Sequence, residues 1–188
     1  MTPTTIEIIE IGGNLAAEVK DSSGASPMSC FQCTKCSCGC PVSSRADIKP
    51  HEVVRLVQTN QRDVVLKSRF IWECASCHTC VTRCPQQVDI PAMIDSLRVM
   101  SLDEKKADVT AMLPVLNATF LDAVRKRGRI HEISLMANLK LKTRHFMEDF
   151  DKAPKMMKKG KLPLFGSKGG TKSELKEIFR RSAEGGKR

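Results

Sequence analysis

The sequence has no tyrosine, a single tryptophan (Trp72) and only 4% aromatic residues among 188. A chain so poor in aromatics has few rings on which bases can stack, so a nucleic-acid surface is a poor fit even at a formal charge of +10. Long apolar runs are missing too. The longest mostly apolar stretch, residues 109–124, is interrupted by Pro114, Asn117 and Asp122 and falls short of the roughly 20 residues that a membrane-spanning helix needs. The opening MTPTTIEIIEIGGN has no basic region followed by an apolar run and no small-residue cleavage site, so no secretory signal is expected. There is no GxGxxG run for a dinucleotide and no Ser, His and acid constellation. The expected location is cytoplasmic, and no substrate site of the chain's own is expected.

Cysteine is what the chain has in excess, with nine residues. Disulfides are rare in a reducing compartment, so nine thiols there point to metal or redox chemistry. Cys30, Cys33, Cys36, Cys40 and Pro41 follow the spacing C-x2-C-x2-C-x3-C-P, and Cys74, Cys77, Cys80, Cys84 and Pro85 repeat it 44 residues later. Superposing the two runs sets Cys38 opposite Thr82, which makes Cys38 the surplus thiol. Three thiolates spaced by two residues can wrap three irons of one [4Fe-4S] core, and the fourth iron needs a thiolate from elsewhere. In two-cluster ferredoxins the last cysteine of each run serves the other run's cluster. Applied here, one cluster takes Cys30, Cys33, Cys36 and Cys84, and the other takes Cys74, Cys77, Cys80 and Cys40. Structural zinc is the simpler alternative, but an all-cysteine zinc site ordinarily uses two separated pairs rather than two triplets each followed by Cys-Pro. His78, inside the second run, is read as a loop residue, since four thiols already fill each ligand set.

Between the runs, Val53, Leu56, Val57, Val64 and Val65 fall at helical spacing with no glycine, so the linker is predicted to be helical. Ile90, Met93, Ile94 and Leu97 form an i, i+3, i+4, i+7 stripe beginning beside Pro91. Asp47-Ile48 before Pro50 echoes Asp89-Ile90 before Pro91, and each aspartate is expected to cap the helix that follows it. Further helices are predicted over 14–20, 113–126, 131–142 and 173–181. The fold class is all-α. The expected organisation is an N-terminal extension (1–24), a two-cluster domain (25–105), a helical extension (106–151) and a basic C-terminal segment (152–188). Residues 155–188 carry eleven Lys or Arg against three Asp or Glu, which accounts for +8 of the net charge. Within them Lys155 to Lys161, with Met156, Met157, Leu162 and Leu164 as apolar anchors, is the candidate docking segment for a partner.

Two C-x2-C-x2-C-x3-C-P runs joined by helices resemble the α-helical ferredoxin domain. That domain also occurs in the iron-sulfur subunits of succinate dehydrogenase, fumarate reductase and anaerobic glycerol-3-phosphate dehydrogenase. FIWECASCHTCVTRCPQQVDIP, the trailing GRIHEISLMANLKLKT and APKMMKKGKLPL are most similar to the C-type subunits of heterodisulfide reductase, over roughly residues 25–182. The resemblance implies an electron-transfer role with two [4Fe-4S] clusters. The partners would be a flavin-containing A-type subunit and a catalytic B-type subunit that reduces a disulfide such as that of coenzyme M and coenzyme B. The cysteine-rich CCG motifs of such B-type subunits are missing here, since no two cysteines are adjacent.

Overall fold

The computed structural model describes residues 13–107, 112–143, 169 and 171–185, and among these residues the regular structure is entirely helical. The chain divides into two units, residues 1–107 and 108–188.

In the first unit, α1 (Leu15–Ser23) leads to a single 3-10 turn (Pro27–Ser29) and then to the short α2 (Lys35–Cys38). The linker forms α3 (Pro50–Gln58), α4 (Arg62–Lys67) and α5 (Phe70–Glu73). The short α6 (Thr79–Thr82) and the long α7 (Ile90–Asp103) complete the unit. Helix α7 is the spine, packed against α1, α4, α5 and α6. Its predicted stripe is the core: Ile90, Met93, Ile94 and Leu97 are all buried, and each such side chain contributes on the order of 1.5–3 kcal/mol on leaving water. They meet Leu15 and Val19 of α1, Val53, Val54 and Val57 of α3, and Phe70 and Ile71 of α5. Residues 13–24, within the stretch that the sequence set apart as an extension, therefore supply part of this core.

Local chemistry explains several helix ends. Helix α1 stops at Gly24, whose φ of 72° lies in the left-handed region that glycine adopts without strain. Pro91 occupies the first turn of α7, and the Asp89 carboxylate accepts the Ala92 NH at 3.0 Å, the predicted cap. The matching expectation for Asp47 does not hold. Helix α3 begins at Pro50 with Lys49 as its N-cap, and it is Glu52 that accepts the Lys49 NH, at 2.7 Å. Asp47 lies too far upstream to reach this helix end. It accepts instead from the NH groups of Arg69 (2.7 Å) and Phe70 (2.9 Å) and from the Ser68 hydroxyl (3.0 Å), capping α5 across more than twenty residues. Val64 also departs from its expected place and is 49% exposed, while Val54 is fully buried. The left-handed Asn60 (φ 56°) separates α3 from α4 and resets the helical phase between them.

The second unit contains α8 (Met112–Arg127), α9 (Glu132–Thr143) and α10 (Lys172–Gly185). Helices α9 and α10 each pack on α8, and the Arg125 guanidinium lies 4.7 Å from the centre of the Phe179 ring. Gly128 (φ 72°) ends α8 with the Gly169 carbonyl so close that a Cβ there would collide with it. The docking segment read at Lys155 to Lys161 lies outside the described residues.

Candidate iron-sulfur centres

The 44-residue repeat is written into the backbone as well as the cysteines. Gln32 and Thr34 of the first run adopt positive φ (58° and 63°), and so do Ser76 and His78 at the matching places of the second (49° and 57°). Neither run places a glycine at these positions, so the strained turns must be held by the surrounding structure. Each loop curls through these left-handed residues into a short helix, α2 or α6, and the two short helices pack on each other. Alternation of this kind turns successive backbone NH groups inward, a nest suited to anionic sulfur. Accordingly the Gln32 NH donates to Cys30 Sγ at 3.4 Å, and beyond the second run, after the left-handed Gln87, the Val88 NH donates to Cys84 Sγ at 3.3 Å.

The runs line two small, partly enclosed cavities. Cys30, Cys33, Cys36 and Cys84 line one, and Cys40, Cys74, Cys77 and Cys80 line the other. Each cavity thus gathers three thiols from one run and the fourth cysteine of the other. The remaining walls are largely apolar, with Val88 and Ile90 at the first and Val42, Phe70 and Ile94 at the second. Cys33 and Cys77 are the exposed member of each set. Cys38 lines neither four-thiol cavity; it is exposed in a separate cleft with Cys33, Thr34, Lys35 and Arg83. His78 is exposed and lines neither cavity, while its carbonyl accepts the Val81 and Thr82 NH groups that start α6.

The donor set fits a cationic iron-sulfur core. Burial pushes the Cys36 and Cys74 thiols up, the Cys74 thiol despite the opposing Ser76 NH and Arg98 charge. Burial, reinforced by the neighbouring Cys74, pushes Cys80 up to about 11. Thiols packed this way resist ionising together unless positive charge arrives between them, and iron supplies it while displacing their protons. No three His, Cys, Asp or Glu side chains among the described residues gather closely enough to hold a single metal ion; the thiols instead ring the two voids.

Sequence reasoning missed several polar side chains that hold the loops. Arg98 of α7 donates from Nε to the Ile71 carbonyl (2.5 Å) and from Nη2 to the Cys74 carbonyl (2.8 Å). Gln58 of α3 donates to the Pro27 carbonyl (2.9 Å) and to the Cys30 carbonyl (3.5 Å). His51, in the wall of the first cavity, has Nδ1 2.7 Å from the Ser37 hydroxyl. The one available signal was Arg98 as the single basic residue of the helix that follows the second run.

Two thiol-lined cavities related by an internal repeat on an all-helical frame define an iron-sulfur protein with two [4Fe-4S] clusters. The family model for a 4Fe-4S dicluster domain matches residues 29–89. The chain is also similar to the C-type subunits of heterodisulfide reductases. It is 36% identical over 75 residues to the C-type subunit of the ferredoxin:CoB-CoM heterodisulfide reductase of Methanosarcina acetivorans, covering 40% of this chain and 30% of that one. It is 37% identical over 92 residues to the C2-type subunit of the H(2)/formate:CoB-CoM heterodisulfide,ferredoxin reductase of Methanococcus maripaludis, covering 49% of this chain and 48% of that one. The match to the second C-type iron-sulfur subunit of the CoB–CoM heterodisulfide reductase of Methanocaldococcus jannaschii is 38% identical over 94 residues, covering 49% of this chain and 47% of the relative. The chain spans about half or less of the length of these curated relatives. None of its described helices is long and apolar enough to cross a membrane.

Proposed function

We propose that this chain is the electron-transfer iron-sulfur subunit of a heterodisulfide-reductase-like complex in the cytoplasm. It would relay single electrons between a flavin-containing A-type subunit and a catalytic B-type subunit that reduces a disulfide such as that of coenzyme M and coenzyme B. The observation that carries this reading is the crossed thiol pattern of the two cavities in a chain similar to the C-type subunits. Cys30, Cys33, Cys36 and Cys84 would hold one cluster, and Cys74, Cys77, Cys80 and Cys40 the other. Each [4Fe-4S] cluster supplies a site that accepts and returns one electron.

The protein's own residues bind, orient and dry these sites. The NH groups of Gln32 and Val88 donate to ligand sulfurs, and Ile90, Ile94 and Phe70 form walls that keep water out. Pro41 and Pro85 turn the chain away directly after the crossing cysteines and bring no NH of their own. The exposed Cys33 and Cys77 mark the faces through which partners would approach the first and second site. The basic Lys155 to Lys161 segment would fasten the catalytic partner, its charges speeding and orienting encounter.

The test is gentle anaerobic purification of the native complex, with iron, acid-labile sulfide and copurifying polypeptides determined together. About eight irons and eight sulfides per chain are expected from two cubanes, along with flavin-bearing and CCG-containing polypeptides. Stoichiometric zinc without sulfide would end the cluster assignment, and copurification with a succinate- or glycerol-3-phosphate-type flavoprotein would end the partner assignment. Deleting residues 155–188 should leave the EPR signals of the isolated chain unchanged while weakening assembly and disulfide-reducing turnover. Full-affinity assembly of the truncated chain at physiological salt would refute the docking role.

A further inference from the structure

The two cluster sites are repeats of one design, yet the same pair of backbone carbonyls is met by different chemistry in each. Pro27 and Cys30 of the first half correspond, 44 residues on, to Ile71 and Cys74 of the second. In the first half both carbonyls lie within reach of the neutral carboxamide of Gln58, at 2.9 and 3.5 Å. In the second half both accept from the guanidinium of Arg98, at 2.5 and 2.8 Å. Gln58 ends α3 and Arg98 lies in α7, the helices that follow the first and second run respectively.

We infer that Arg98 raises the reduction potential of the cluster at the second site, a bias that Gln58 does not give the first. The inference rests on the two-cluster reading proposed above. Reduction adds one negative charge to a cluster already surrounded by thiolates, so a fixed cation nearby favours the reduced state. Arg98 is well placed for this. Its side chain is only 22% exposed, and two carbonyl bonds pin it behind the first cysteine of the run.

Two carboxylates oppose Arg98 at the second site. Glu73, half-buried just before Cys74, is unchanged in every variant tested, so it offsets the absolute potential but not the predicted shifts. Asp95 pairs with Arg98 Nη1 at 2.8 Å, but its side chain is 63% exposed, so its charge lies in water on the far side of the guanidinium. At the first site Lys35 lines the cavity, and Arg55 donates to Gln58 Oε1 at 3.4 Å. Both are exposed, and solvent and salt screen them. None of the residues lining the second cavity is charged apart from its thiols. Arg98 is a positioning residue that also sets the local field.

The experiment is an EPR-monitored potentiometric titration of the anaerobically prepared full chain, with dithionite as reductant and iron content measured on every sample. Cys77→Ser identifies the signal of the second site. Arg98→Gln should disfavour reduction of that site by about tenfold, a fall of about 59 mV for a one-electron couple, with the first site unmoved. Arg98→Lys should restore most of the potential, because it keeps charge without the fork. Asp95→Asn should shift the same signal in the opposite direction. A merely structural role predicts neither the rescue nor the reversed sign. If Arg98→Gln loses iron, Gln58→Arg decides the matter by raising the potential of the first site. Two intact clusters whose potentials ignore Arg98→Gln, or ignore Gln58→Arg when Arg98→Gln loses iron, would overturn the inference and leave the cluster reading standing. A chain with no second cluster signal would overturn both.

Discussion

Asp47→Ala tests whether the two halves of the cluster domain depend on one another. The carboxylate follows the first run in sequence but caps the helix that leads into the second, accepting the Arg69 NH, the Phe70 NH and the Ser68 hydroxyl. Truncation does not forfeit all these bonds. The Phe70 NH keeps the Ser68 hydroxyl at 3.0 Å, and the Arg69 NH becomes free to bind water. The cost is therefore that of one good cap with charge-assisted bonds, about 2 kcal/mol, or about 30-fold in an equilibrium or rate. Cluster loss makes unfolding irreversible, so the suitable observable is a rate: bleaching of the cluster absorbance in guanidinium under anaerobic conditions. Burial works to raise the Asp47 carboxyl, but the NH groups of Arg69, Phe70 and Ile48 and the Ser68 hydroxyl outweigh it and hold it below the usual carboxylate range. A lowered folded pKa means that the stabilisation is complete above the ordinary aspartate value of about 3.9 and is lost as pH falls through the lower folded value. Asp47→Asn keeps an acceptor oxygen, so it should bleach more slowly than Asp47→Ala at neutral pH and lose part of the wild-type acid sensitivity. Wild-type bleaching rates in Asp47→Ala would show that α5 holds its place without this cap.

Cys38→Ser should retain both clusters, whereas Cys40→Ser should damage the cluster built mainly on Cys74, Cys77 and Cys80, as read from iron content and EPR. The reverse outcome would mean that the first run is ligated through the wrong thiol. Ser101→Ala should destabilise the first unit by about 1–3 kcal/mol, measured by the same bleaching kinetics, because the fully buried Ser101 hydroxyl serves the equally buried Leu66 carbonyl at 2.7 Å. Arg62→Leu removes two ion pairs at once, to Glu18 (2.7 Å) and to Glu104 (2.6 Å). With the guanidinium about one-third exposed, the loss should be at most about 1 kcal/mol and should shrink as salt is raised.

The sequence alone carried the chemistry of this protein, because cluster chemistry is local. A thiol every third residue, a Cys-Pro end and a second copy 44 residues on specify the kind of metal centre with little help from the fold. The core stripe of α7 was legible for a similar reason: Ile90, Met93, Ile94 and Leu97 repeat with the helical period whatever packs against them. Helix phase was less secure, because the break at Asn60 comes from a backbone turn that the spacing of valines does not announce, and Val64 was misplaced in consequence. The tertiary structure decided whatever depends on residues distant in sequence meeting in space. It directed Asp47 to α5 rather than to the helix that follows it. It also gave one repeat a carboxamide and the other a guanidinium behind the same two carbonyls. No periodicity encodes such meetings, since a hydrogen bond between residues 47 and 70, or 74 and 98, exists only once the core has packed and brought donor and acceptor to 2.9 and 2.8 Å.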